Sequence, residues 1–218
     1  MIAIVDYGVG NLGSIVNMLR RLSVPALLTG DPAKIEAAER VIIPGVGAFD
    51  QGMKNIGERG LRPVLDKVAL ELRRPVLGIC LGMQLLGRSS EEGSEPGLGW
   101  IESSCRRFHP KPRPDGYVDK VPHMGWNYLV AMRPHALTEG ADADTRFYFV
   151  HSYHVVCDRD EDVVASSWFG GGPFTAILAR GNIAGVQFHP EKSHRFGMRL
   201  LKNFSVWQPS ANAVGAIA

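Results

Sequence analysis

Apolar residues follow two rhythms along this chain. In the first half, short unbroken apolar runs alternate with stretches where apolar positions recur every three or four residues. Residues 2–5, 26–28, 41–43 and 76–79 are runs of the first kind and read as buried strands. Between them, residues 11–22 carry Leu12, Ile15, Val16 and Leu19 at helical spacing, and residues 61–72 repeat that spacing. A further helix-like segment holds Met83, Gln84, Leu85 and Leu86. Alternating strands and helices predict an α/β fold with a mainly parallel central sheet flanked by helices.

The rhythm changes after Trp100. Residues 147–150, 153–157, 163–167 and 175–178 are short strand candidates separated by turn signals, so an antiparallel extension is expected. Residues 109–120, with Pro110, Pro112 and Pro114, read as an exposed loop. Residues 183–188 return to the main sheet, and 192–207 form a closing helix. Residues 1–207 thus read as one domain. Residues 208–218, rich in Ala, Gly and Ser without periodicity, are expected to be a flexible tail.

Composition narrows the function classes. The chain has 218 residues, 45% hydrophobic content and a formal net charge of +2, which suits one globular domain. The clustered basic excess of a nucleic-acid binder is missing. No apolar run is long enough to span a bilayer. The first residues read as a strand and not as a signal peptide. Three cysteines at irregular spacing fit a reducing cytosol better than a disulfide framework, so a cytoplasmic location is expected.

One run carries the sharpest chemistry. Gly78-Ile79-Cys80-Leu81-Gly82 follows an apolar strand and precedes a helix, the layout of a nucleophile elbow. A helix N-terminus beside Cys80 favours the thiolate. Cys105 and Cys157 have no such setting and read as structural. Downstream, His189-Pro190-Glu191 ends another apolar strand. A histidine or a glutamate there would alone be an ordinary surface residue. Together with Cys80 they supply a nucleophile, an imidazole base and an orienting carboxylate.

Two glycine-rich turns remain. Gly45-Val46-Gly47 follows the strand at 41–43. Alone it is an ordinary strand-to-helix turn, but beside an elbow it can offer an oxyanion donor additional to the N–H of Leu81. The run from Asp6 to Asn11 fails as a dinucleotide signature and reads as a tightened first turn opening a helix at Asn11. No cofactor is expected. Metal binding is not expected either: the histidines are scattered, and His151 and His154, three apart in a strand-like stretch, would face opposite ways.

These residues resemble the class I (triad) glutamine amidotransferases, and among them the glutaminase subunits of imidazole glycerol phosphate synthases. The resemblance lies in DYGVGNLGS at 6–14, PGVGAFDQGM at 44–53, GICLGMQLL at 78–86, PHMGWN at 122–127, YFVHSYH at 148–154 and GVQFHPEKS at 185–193. It implies a flavodoxin-like glutaminase working with a separate (βα)8-barrel cyclase subunit. By that resemblance Cys80 is the nucleophile, His189 the base and acid, and Glu191 its orienter. Gly47, Gln84, Ser152 and Tyr153 would contact L-glutamine. Asn11, Trp126, Tyr148 and Lys192 would face the cyclase. The loop before Val121 and the tail after Trp207 depart from the pattern. Three rival readings stay open here: a triad glutaminase of another synthase, a free-standing cysteine hydrolase, and a non-catalytic docking subunit.

Overall fold

The computed structural model describes residues 1–10 and 12–209. Its first half runs β1 (Ile2–Val5), α1 (Leu12–Arg21), β2 (Ala26–Thr29), α2 (Pro32–Ala37), β3 (Arg40–Gly45), α3 (Phe49–Glu58), α4 (Arg62–Asp66), β4 (Val76–Cys80) and α5 (Leu81–Leu85). The second half adds β5 (Ser89–Ser90), β6 (Ser103–Arg107), β7 (His123–Tyr128), β8 (Ala131–Met132), β9 (Arg146–His151), β10 (Tyr153–Cys157), β11 (Val163–Phe169), β12 (Gly172–Arg180), β13 (Ile183–Val186) and α6 (His194–Val206).

The main sheet has the order β2-β1-β3-β4-β13-β12-β11-β8. Its first five strands are parallel, and β12, β11 and β8 extend it antiparallel. The other late strands leave the main sheet. β10-β6-β5 and β7-β9 form two small separate sheets.

The central strands β1, β3, β4 and β13 are buried along their whole length. Alternation divides their side chains between two cores. Ala3, Val5, Val41 and Ile43 pack on one side of the sheet; Ile2, Ile4, Ile42, Leu77 and Ile79 pack on the other. Each Val, Leu or Ile among them contributes about 1.5–3 kcal/mol by leaving water, which makes the register costly to shift. In α1, Ile15 and Leu19 face the second core, while Arg20 and Arg21 sit in the last turn, where the helix dipole favours them.

Several bounds differ from expectation for clear reasons. β3 continues through Pro44 and Gly45, which pair with Ile79 and Cys80 of β4. Its pairing with β1 has already ended at Ile42, so the missing proline N–H breaks no ladder on that side. The helix read at 61–72 starts as α4 and continues as a π turn over Lys67–Glu71. α3 escapes a periodicity reading because Gly52 and Gly57 interrupt it. β13 stops at Val186, and Gln187 then donates its N–H to the Ala176 carbonyl at 2.9 Å. The closing helix starts at His194, after a 3-10 turn at Pro190–Lys192. Residues 109–120 form no regular element and are mostly exposed, as expected. Of the expected tail, residues 210–218 lie outside the described residues, as does Asn11. No helix among the described residues is long and apolar enough to cross a membrane.

The elbow depends on close backbone approach. A Cβ on Gly82 would lie 1.8 Å from the Ile43 carbonyl oxygen in the neighbouring strand. Nothing flexible can yield there. Gly82→Ala is therefore expected to cost about 3 kcal/mol or more of unfolding free energy. Urea denaturation measures it, and a loss under about 0.5 kcal/mol, the range of an ordinary surface change, would show that α5 can move away.

Candidate active site

Cys80 ends β4 and begins α5 with φ 53° and ψ −107°. A non-glycine residue adopts such a backbone only when its surroundings hold it there. β3 and β13 hold β4 on either side, and Gly82 lets the chain turn at once against Ile43. α5 spans only Leu81–Leu85, so its dipole is short. The cation that faces the sulfur is the His189 imidazole.

His189 follows β13 and is pinned through its backbone. Its N–H donates to the Tyr148 carbonyl at 2.9 Å, and its own carbonyl accepts from the Ser193 hydroxyl at 2.6 Å. That hydroxyl in turn accepts from the Tyr148 N–H at 3.0 Å. Its side chain donates from Nδ1 to Glu191 Oε1 at 2.7 Å, with both side chains buried. Nε2 is buried against the Cys80 sulfur without a hydrogen bond of ordinary geometry. Burial disfavours the imidazolium and is the largest single influence on it. Cys80 and Glu191 on either side nevertheless outweigh burial, and the pKa is pushed up to about 10. A thiolate beside a charged imidazole, backed by a carboxylate, is competent for nucleophilic attack on an acyl carbon.

The other two cysteines differ in kind. All three are free thiols. Burial pushes the Cys105 thiol upward, and burial with the Asp162 charge pushes Cys157 up to about 12. Both stay protonated at neutral pH, in keeping with a structural reading.

A cavity of about 550 Å³ opens beside Cys80 and His189. Val46, Gly47, Leu81, Gln84, Ser152, Tyr153 and Lys192 line it, so the structure brings together residues scattered over most of the chain. Gly45 lies beside Cys80 in the sheet register but does not line the cavity. Val46 is 42% exposed and Gly47 has φ +112°, a conformation that glycine adopts without strain. Ser152 sits at the bend between β9 and β10. That bend corrects the expectation for His151 and His154: they are not on one strand, and both rings flank Phe108, at 5.2 and 4.5 Å between centroids. Among the described residues no group of three or more His, Cys, Asp or Glu could hold a metal ion.

Trp126 and Tyr148 are register partners in the β7–β9 sheet, with ring centroids 6.2 Å apart. Lys192 Nζ lies 5.7 Å above the Tyr148 ring and also lines the cavity, so Lys192 links this aromatic pair to the cavity. Met124, Trp126, Tyr128, Val130 and Met132, at every second position, are exposed. Sequence reasoning passed over Glu92, Pro122, Val150 and His151 as cavity residues. Glu92 accepts from the Phe49 N–H at 2.9 Å and so fixes the start of α3. It also passed over Gln187, although that residue stands in the same run as His189 and Glu191.

Known proteins place the chain in a family. The sequence model of the family described as glutamine amidotransferase class-I matches residues 3–207. A Pseudomonas aeruginosa protein, imidazole glycerol phosphate synthase subunit HisH 2, is 50% identical over 204 residues, covering 94% of this chain and 98% of the relative. A Methanococcus maripaludis protein of the same name is 46% identical, with the same coverage. In fold, the chain is similar to a glutamine amidotransferase from Thermotoga maritima, with TM-score 0.61 and 18% identity, covering 93% of this chain and 80% of that one. An elbow cysteine, a buried histidine–glutamate pair and a match over almost the whole described chain lead to one assignment: the chain belongs to the class-I glutamine amidotransferases, in the HisH group.

Proposed function

We propose that this chain is the glutaminase subunit of an imidazole glycerol phosphate synthase. It hydrolyses glutamine and passes ammonia to a (βα)8-barrel cyclase subunit, which makes imidazole glycerol phosphate and AICAR in histidine biosynthesis. The observation that carries the reading is the buried His189–Glu191 pair, 2.7 Å apart, with the strained elbow thiol of Cys80 against the free imidazole nitrogen.

In this reading the Cys80 thiolate attacks the side-chain amide carbon of glutamine, forming an S–C bond. The His189 imidazolium gives its proton to the leaving nitrogen as the C–N bond breaks, and ammonia departs. Neutral His189 then takes a proton from water, whose oxygen attacks the thioester. Glutamate forms, the S–C bond breaks, and the thiolate–imidazolium pair returns. Glu191 keeps Nδ1 protonated throughout, so Nε2 does the proton transfer. The N–H of Leu81 and one from Gly45, Val46 or Gly47 stabilise each oxyanion, each donor contributing about 10²–10³ in rate.

Gln84, Ser152 and Tyr153 orient the glutamine. The Gln84 nitrogen is already engaged with the Tyr153 carbonyl and with Gln187, so the Gln84 oxygen is what it can offer. That oxygen suits the substrate ammonium. Ammonia freed into water at neutral pH is mostly protonated and diluted, so direct transfer to a docked partner keeps it available as a nucleophile where a concentrated ammonium salt would otherwise be needed. The exposed β7 stripe with Tyr148 and Lys192 is the docking face. Val46 and Gly47 form the switch, since a peptide beside glycine turns easily and can present or withdraw a donor.

Glutamate release by the chain alone, then with the cyclase and its ribonucleotide substrate, tests the reading. A low rate that rises sharply in the complex is expected. High activity alone, unaffected by the cyclase, would overturn it. Trp126→Ala is expected to weaken cyclase binding by about 2 kcal/mol, roughly 30-fold in Kd, as central aromatic anchors do. Calorimetric titration measures it; an unchanged Kd would move the docking face elsewhere.

A further inference from the structure

We infer that Gln187 is a further catalytic residue, whose buried side-chain amide donates a hydrogen bond to the Cys80 sulfur and holds the thiolate ready to attack. This rests on the reading of Cys80 as the nucleophile.

Gln187 is wholly buried, and its Nε2 lies 3.7 Å from Cys80 Sγ. Nitrogen and oxygen of an amide are told apart by what surrounds them, and here the surroundings leave one choice. The Tyr153 backbone oxygen can only accept. Gln84 must therefore turn its NH2 group toward it, at 3.1 Å. The second hydrogen of that NH2 reaches Gln187 at 3.2 Å, so Gln187 presents its oxygen there. The Gln187 NH2 group is left facing the sulfur.

The far side of the Tyr153 carbonyl is equally determined. Burial lowers the pKa of His151 to about 3 and that of His123 to about 4, so both rings are neutral at physiological pH. His151 Nδ1 donates to the Tyr153 carbonyl at 2.8 Å, and its Nε2 accepts from His123 Nδ1 at 3.1 Å. His123 Nε2 accepts from Asn127 Nδ2 at 3.2 Å, and the same nitrogen donates to the Trp168 carbonyl at 2.8 Å. Carbonyls at Trp168 and Tyr153 thus orient every group from Asn127 to Cys80.

The chemistry needs such a donor. A buried thiolate has lost its water, and a charge left without hydrogen bonds is costly. His189 supplies positive charge but no well-formed hydrogen bond to the sulfur. The neutral Gln187 amide supplies a fixed dipole without adding a titrating group. The titratable groups facing the sulfur are Tyr7 and His189, with Glu191 behind it; Glu92, His151, Tyr153 and Lys192 also line the cavity. Gln187→Leu replaces none of them and keeps nearly the same volume.

The test is the pH dependence of iodoacetamide alkylation at Cys80, followed by mass spectrometry of its peptide. In Gln187→Leu the midpoint is expected to rise by about one pH unit, a tenfold loss of thiolate below the midpoint, with kcat falling about tenfold in the cyclase complex. A midpoint equal to that of the unsubstituted protein, while Cys80→Ala is inactive, would overturn the role of Gln187 alone. Hydrolysis surviving in Cys80→Ala would overturn the underlying reading instead. If Gln187→Leu does not fold, the unsubstituted protein labelled with 15N-glutamine carries the test. One side-chain amide must then shift with the Cys80 midpoint and lose that shift in Cys80→Ala; no such resonance would overturn the proposal.

Discussion

Cys80→Ala is expected to lower glutamine-dependent turnover by a factor on the order of 10⁶, the size found when a hydrolase loses its nucleophile. No neighbour can stand in for it. Cys105 is buried on the other side of the sheet, in the first core, and Cys157 is held protonated, with a pKa of about 12. Water could attack glutamine in the emptied site, but the imidazole and the oxyanion donors are aimed at a carbon bonded to sulfur. The loss should be confined to glutamine. With the cyclase bound and an ammonium salt in place of glutamine, the synthase reaction should continue, because the amide-cleaving step is bypassed. The substitution removes one sulfur at a site held by backbone pairing, so the fold should survive. Assays of glutamate release and of imidazole glycerol phosphate formation, run on the same complex, measure both halves. Glutamate release within tenfold of the unsubstituted rate would end the thioester mechanism.

Glu191→Gln should cost roughly 10⁴ in kcat, as when a triad carboxylate becomes an amide. The carboxylate now accepts from His189 Nδ1 at 2.7 Å. An amide in its place can donate to that nitrogen, which drives the proton to Nε2 and leaves no base facing the sulfur. The pH profile should move as well. Burial alone would lower the His189 pKa; Cys80 and Glu191 together raise it to about 10. Since the carboxylate stabilises the charged imidazolium, neutralising it must lower that pKa. The alkaline limb of kcat/KM, which should lie near pH 10 in the native enzyme, should therefore shift to lower pH in Glu191→Gln. A limb that stayed in place would mean that Glu191 orients the ring without contributing charge.

Much of this site was legible in the chain because its critical parts are local. The elbow needs a strand, a cysteine flanked closely by small residues, and a helix, all within a short stretch of chain. The glycine at 82 is demanded by contact with Ile43, yet its spacing from Cys80 is visible as text. His189 and Glu191 are also neighbours in sequence, joined by a proline that fixes the backbone between them. The parallel strands β1, β3, β4 and β13 showed themselves as apolar runs, since burial on both faces leaves no polar alternation. What failed had a common cause. β6 and β7 carry serines, arginines, glycine and histidine, and become strands only by pairing with β10 and β9. A break between 150 and 153 was readable, but that it brings the His151 and His154 rings together on Phe108 was not.

The order of residues along the chain was enough for the fold class, the elbow and the choice of the three residues proposed as a triad, because short-range covalent geometry and unbroken apolar runs make each of them visible. Which polar groups meet was settled by packing. Gln84, Tyr153 and Gln187 are far apart in sequence, and their amide orientations follow from which atoms can only accept. Likewise, the His189 pKa reflects opposing influences from burial, Cys80 and Glu191, none of which acts until the chain is folded. Hydrogen bonds act over about 3 Å and charges over about 10 Å, so both depend on distances in space that the packed sheet sets.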